Sequence, residues 1–214
     1  MKKSSATLLR EIGPFPGVSQ VGGVTFDGAA VWIAVGDRLC AVDPRSGEIL
    51  RALNLPAHAG TAFDGQHLYQ IAGETIQKVD PASGRIVATV PTPAGGASGM
   101  AWAEGRLWVG QHRARKIHMI DPDSGAILRT LESNRFVTGV TWVDGDLWHA
   151  TWENEESELR RIAPDTGEVL EALQMPAGVT VSGLEAVGEQ FFCGGGNSGK
   201  VRVVRRPKRP PSDA

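Results

Sequence analysis

An all-β fold is what this 214-residue sequence predicts: a single five-bladed β-propeller of four-stranded antiparallel blades, its ring closed by a strand from the N-terminus. Three observations carry that expectation. A Gly-led segment recurs about every 40 residues, a period typical of propellers and solenoids. Each copy holds one aromatic residue at a fixed place, and the first four end in a Pro-x-Ser/Thr-Gly turn.

The copies open at Gly23, Gly60, Gly99, Gly139 and Gly183, as in Gly23-Val24-Thr25-Phe26-Asp27-Gly28 and Gly139-Val140-Thr141-Trp142-Val143-Asp144-Gly145. Asp-Gly or Glu-Gly between apolar runs supplies the positive φ of a short hairpin, so each opening reads as two strands and a tight turn. The second strand carries the repeated aromatic, Trp32, Tyr69, Trp108, Trp148 or Phe192, suited to filling the space between blades. A third strand then runs into Asp43-Pro44-Arg45-Ser46-Gly47, Asp80-Pro81-Ala82-Ser83-Gly84, Asp121-Pro122-Asp123-Ser124-Gly125 or Ala163-Pro164-Asp165-Thr166-Gly167. Pro presets φ and Gly takes the left-handed position, so a fourth strand can turn back. Four strands per copy make a propeller blade.

The fifth copy lacks its fourth strand, because after Val204 the chain becomes Arg205-Arg206-Pro207-Lys208-Arg209-Pro210-Pro211, which cannot extend a sheet. The segment Ser5 to Ile12 has the apolar content of an outer strand and is expected to complete that blade, removing an exposed edge. The propeller is thus expected over 1–206, and 207–214 is read as a flexible Pro/basic tail rather than a nucleic-acid arm.

The formal charge of −2, spread along the chain, leaves no global field to recruit nucleic acid or an anionic membrane. Residues 4–16 hold no apolar signal core and no later stretch is long enough to span a bilayer. The expectation is a cytoplasmic monomer. Cys40 and Cys193 lie in separate strand patterns without metal-knuckle or redox spacing and read as reduced core thiols. His149 and Cys193 share one register in adjacent blades, on the order of 10 Å apart, whereas zinc ligands converge to about 2 Å from the ion. Neither a metal nor a cofactor is expected. Gly194-Gly195-Gly196 is followed by no helix that could hold phosphate, and His58, His67 and His118 receive no role.

The Pro-x-Ser/Thr-Gly turns and the Gly-led openings resemble the propeller group that includes streptogramin lyase-like, YVTN-type and plant-type glutamine cyclotransferase proteins. Blade four, with Gly139-Val140-Thr141-Trp142 and Leu147-Trp148-His149-Ala150-Thr151-Trp152, is most similar to the cyclotransferase branch. That resemblance implies intramolecular attack of an N-terminal glutamine amine on its own amide, with a Glu in a second strand in a Glu-Ser-Thr-Gly-like context. No such run occurs: the corresponding stretches read Ile33-Ala34-Val35-Gly36, Gln70-Ile71-Ala72-Gly73 and Val109-Gly110-Gln111-His112.

Loops joining strands two and three emerge on the same face as the blade connections, the default binding surface. Those of blades one and two are plain, Val35-Gly36-Asp37-Arg38 and Ala72-Gly73-Glu74-Thr75. Blades three to five carry Gln111 to Lys116, Thr151 to Glu156 and Gly194 to Lys200, which align His112 with Trp152 and Gly196, then Arg113 with Glu153 and Asn197. A channel-mouth site for a small polar or cationic molecule is therefore expected from Trp152, Arg113, Asn197, Gln111, Ser182 and Thr138. The competing reading is a solvated surface on which Arg113, Lys116, Glu153 and Glu155 exchange weak ion pairs. Glu185 stands where the other inner strands have Thr25, Ala62, Ala101 and Thr141, and a carboxyl near the axis must be paired, hydrogen-bonded or protonated. An enzyme of cyclotransferase or lyase type would use Glu185 or Glu153 as base and His112 as acid. A protein-interaction platform is the third reading, which an exposed apolar patch would favour.

Overall fold

The fold is that of a computed structural model in which residues 1–208 are described; residues 209–214, and with them most of the predicted tail, lie outside the described residues. Twenty-one strands form five sheets, arranged as a five-bladed propeller. From the axis outward, blade one runs Val24–Phe26, Val31–Ala34, Gly36–Val42 and Ile49–Ala57, and blade two Thr61–Phe63, Leu68–Ala72, Thr75–Val79 and Ile86–Pro91. Blade three is Met100–Ala103, Arg106–Gln111, Lys116–Ile120 and Ile127–Glu132; blade four is Val137–Val143, Asp146–Glu153, Glu156–Ile162 and Val169–Gln174. Blade five has Leu184–Val187, Gln190–Gly194 and Val201–Arg205, completed by Leu8–Ile12 from the other end of the chain.

The turns form as their residues dictate. Asp43 accepts hydrogen bonds from the amides of Arg45 (2.8 Å) and Ser46 (2.7 Å), and these donors hold its carboxyl below the usual range. At the opening hairpin Asp27 caps Ala29 and Ala30 with one oxygen and takes the Trp32 indole N–H (2.7 Å) with the other. Apolar residues on opposite faces of each strand then fill five separate cores, each straddling two neighbouring blades. Trp32 lies between blades one and two, Tyr69 between two and three, Trp108 between three and four, Trp148 between four and five, and Phe192 between five and one. Cys40 and Cys193 are free thiols in two of these cores, and burial pushes Cys193 up to about 12.

The N-terminal segment differs from the single strand expected over 5–12. It divides at Ala6–Thr7: Leu8–Ile12 closes blade five, while Lys2–Ser5 pairs in parallel with the outer strand of blade four, giving that blade a fifth strand. There Lys2 lies 3.3 Å from Glu171 and Lys3 4.0 Å from Glu158, two carboxylates buried among Arg160 and Arg161. The added strand thus brings two lysines to the buried carboxylates of blade four.

The ring is tightest at its axis. The five opening glycines touch one another's backbones: a Cβ added to Gly23 would come within 3.0 Å of Ala59 and Thr61, one on Gly60 within 3.0 Å of Gly99 and Met100, and so on through Gly139 and Gly183 back to Val24. These positions require glycine because another blade's main chain occupies the space of a side chain. The glycines lie at the loop-bearing end of the inner strands, where the main chains of neighbouring blades pack directly against one another.

Candidate functional site

The strand registers align the blades as the sequence suggested. Thr25, Ala62, Ala101, Thr141 and Glu185 face Trp32, Tyr69, Trp108, Trp148 and Phe192 across the inner hairpins. Four residues beyond the last three aromatics come His112, Trp152 and Gly196. The turn of blade four places Asn154 and Glu155 in left-handed conformations, a tight two-residue hairpin that keeps Trp152 and Glu153 paired with Ser157 and Glu156.

Trp152 is half-buried and stands as a ridge between two open clefts. The first, about 380 Å³, is lined by Thr138, Val181, Ser182, Asn197 and Arg202. The second, about 640 Å³, is lined by Asn154, Glu155, Glu156, Gln174 and Met175. Three hydroxyl residues precede the axial glycines. Ser98 donates to the Val137 carbonyl (2.8 Å) and Ser182 to that of Val21, each latching its blade to the next. Thr138 lines the first cleft, and its buried hydroxyl has no hydrogen-bond partner among the described residues. A buried hydroxyl without a partner costs free energy.

On the blade-three side the Phe136 ring carries both His112, stacked at 4.7 Å, and the Arg115 guanidinium at 4.5 Å. Arg115 also pairs with Glu153. Burial, and then the charge of Arg113, lowers the His112 pKa, which favours the neutral ring. Glu153 has its charge met by Arg115, Arg113 is exposed, and Asn197 is exposed at the cleft rim. Two expected ligand contacts are already engaged within the fold. The Gln111 amide donates to the carbonyls of Ala94 (2.8 Å) and Gly96 (3.0 Å), and its oxygen meets His118 Nε2 (2.9 Å), whose Nδ1 contacts Thr130 (2.8 Å). Ser182, besides donating to Val21, accepts from the Gly196 amide (3.1 Å). Both act as structural latches, because their donor groups are spent within the fold.

The three catalytic candidates do not come together. Glu185 lies two residues past its opening glycine on an inner strand, whereas His112 lies in the turn after the second strand of blade three and Glu153 at the end of the second strand of blade four. The Glu185 carboxyl accepts a long hydrogen bond from Thr25 (3.4 Å), and burial drives its pKa up to about 8 against the smaller pull of Thr25 and the Ala186 amide. It nevertheless keeps some solvent access at the axis. His149 is fully buried, with its pKa lowered to about 3 chiefly by burial, and among the described residues no cluster of three or more His, Cys, Asp and Glu could hold a metal. Sequence reasoning missed Phe136 and Arg115, although an aromatic opening the blade-four inner strand opposite a cationic loop was a visible signal.

A family model described as outer membrane protein assembly factor BamB matches residues 72–208. Among curated proteins, none matches the chain in sequence. Among solved structures, the glutaminyl cyclase of Myxococcus xanthus superposes with a TM-score of 0.80 at 16% identity, over 95% of this chain and 97% of that one. The WD40 propeller domain of Doa1 gives 0.57 at 15% identity over 86% and 63%, and the WD40 repeats of RRP9 give 0.55 at 11% over 94% and 97%. At such identities the likeness speaks for the fold, since function resides in sites grafted onto it.

Proposed function

This chain belongs to the family described as outer membrane protein assembly factor BamB, and from that premise we propose that it is a small-molecule-binding propeller whose site is the pair of clefts flanking Trp152. The observation that carries this reading is the unpartnered Thr138 hydroxyl beside the half-buried indole. Trp152 offers a flat face for an apolar or cationic group, Thr138 and Asn197 offer hydrogen bonds, and Glu155 and Glu156 make the second cleft acidic. A small polar or cationic molecule suits that set. His112 and Arg113 lie farther toward blade three and bound the site on that side.

The test is calorimetric screening of a metabolite set, followed by titration of variants. Trp152→Ala and Thr138→Val are each expected to weaken binding by roughly 1–3 kcal/mol. Asp37→Asn and Glu74→Gln in the plain loops are expected to change nothing. Unchanged affinity in both cleft variants, with a loss in either control, would place the site elsewhere.

Two observations support other readings. The raised Glu185 pKa falls in the range of a general acid or base, which favours an enzyme of cyclotransferase or lyase type relying on that carboxyl without His112. The family description and the exposed pairs Ile49-Leu50 and Ile127-Leu128 on the outer strands favour an interaction platform.

A further inference from the structure

We propose that the cleft lined by Trp152 and Arg202 is a carboxylate subsite, and that the ligand is a zwitterion whose acid end sits there and whose cationic end sits in the acidic cleft across the indole. This inference rests on the reading of the Trp152 clefts as the site and adds which chemistry each cleft takes.

Strand alternation places Arg202. Val201 and Val203 belong to the core between blades five and one, so Arg202 points to the other face of its strand, the face of Val204 and of its cross-strand partner Cys193. Those two residues fill the core between blades four and five, and Arg202 caps that core at its loop-bearing end, in the same cleft as Trp152. Its guanidinium is held at two points, with Nε donating to Glu11 (2.9 Å) and Nη1 to the Thr180 carbonyl (3.2 Å). Nη2 makes no hydrogen bond among the described residues.

Charge balance decides the sign of the group that this cleft takes. Glu11 accepts from Lys200 (2.7 Å) as well as from Arg202, and these partners, Lys200 first, hold its carboxyl below the usual range. One carboxylate between two cations leaves a net positive charge, and among the described residues no acidic side chain lines the cleft. The cleft across the indole has the opposite sign: Glu155 and Glu156 line it, and only Glu156 is partly offset, by Arg135 at 3.9 Å. An anion is therefore drawn to one side of Trp152 and a cation to the other.

The first cleft also has the donors that a carboxylate needs. The Asn197 amide is exposed at the rim, the Thr138 hydroxyl is buried without a partner, and Arg202 retains Nη2, all lining one cleft. An ionised carboxylate only accepts, through about four lone-pair sites, so donors from three separate segments match it. The single net positive charge suits a monoanion better than a phosphate group, which carries about −1.5 to −2. Between the two charged ends, the half-buried indole offers a flat apolar face to the carbon chain that joins them.

The probes are δ-aminovalerate and its two single-charge counterparts, valerate and pentylammonium, titrated into the full-length protein while the Trp152 indole N–H is followed by NMR. Trp152→Ala identifies that signal. Each single-charge probe is expected to move it saturably, and δ-aminovalerate to bind about tenfold tighter than either. Asn197→Asp, at an exposed position, sets an acid against the carboxylate. It is expected to weaken valerate and δ-aminovalerate by about tenfold and not to weaken pentylammonium. Arg202→Gln is expected to act in the same way, and Asn197→Asp keeps the test decisive should loss of the Glu11 contact unfold that variant. Saturable binding of pentylammonium with valerate silent, or equal losses of all three probes in Asn197→Asp, would overturn the carboxylate subsite and leave the cleft reading standing. Binding of δ-aminovalerate no tighter than that of valerate would overturn the zwitterion. A metabolite that binds the protein without moving the Trp152 signal would overturn the cleft reading and this inference together.

Discussion

Ser98, Thr138 and Ser182 occupy one position in three successive blades, and only Thr138 has its hydroxyl unpartnered. Removing a polar atom that makes no bond differs physically from stranding two that do. Thr138→Val is expected to leave urea stability within about 0.5 kcal/mol of wild type, whereas Ser182→Ala, which strands the Val21 carbonyl and the Gly196 amide, is expected to cost about 1–3 kcal/mol. Equal costs would mean that Thr138 has a partner in solution. At Glu185 the sign follows from its raised pKa. Its folded value of about 8 exceeds the roughly 4.3 of an unfolded chain, so the stability it contributes is complete below the lower value and is lost as pH rises through the higher. Glu185→Gln is therefore expected to match wild type near pH 4 and to exceed it above pH 8, by on the order of 1–3 kcal/mol in denaturant melts. Gly99→Ala drives a Cβ into the backbone of Thr138, Gly139 and Val140, and is expected to cost about 3 kcal/mol or more.

At the level of strands, blades are joined at the rim by a device that the sequence contains in plain view. Leu8-Leu9-Arg10, Ile49-Leu50-Arg51 and Ile127-Leu128-Arg129 are one motif at the start of three outer strands. Arg10 donates to the Pro44 and Arg45 carbonyls, Arg51 to Ala82, and Arg129 to Pro164 (3.0 Å), each reaching the turn of the following blade. The same turn needs glycine at Gly47, since its φ is +78° and a Cβ would strike the Ile12 side chain. The two N-terminal strands have separable duties. Deleting residues 1–5 removes a parallel edge strand and two largely exposed lysines, so a loss of about 1–2 kcal/mol is expected. Deleting 1–12 also removes Ile12 from the core between blades five and one and bares the Val201–Arg205 edge. That protein is expected to aggregate or to melt far lower, as light scattering and circular dichroism would show; a monomer of wild-type melting temperature would refute closure by this strand.

Across the whole molecule, the pairing of Leu8–Ile12 with Val201–Arg205 joins the two ends of the described chain, and every blade shares a core with two others. A closed ring has no terminal repeat that can fray independently, so one cooperative unfolding transition is expected, with coincident fluorescence and circular-dichroism curves. Two separated transitions would show that the ring opens before its blades melt. The sequence by itself determined the blade count, the hairpins, the inter-blade aromatics and the alignment of His112 with Trp152, because these depend on turn chemistry and a local two-residue alternation that repeats. From apolar content it gave the segment Ser5 to Ile12 as one outer strand, of which Leu8–Ile12 closes blade five. Only the tertiary structure decided that the main chains of neighbouring blades meet at the opening glycines, that Glu185 lies apart from His112 and Glu153, that Gln111 and Ser182 are engaged as latches, and that Lys2–Ser5 adds to blade four. Those outcomes depend on how closely five inner strands approach one another and on partners far away in the chain, quantities that a repeat pattern does not encode.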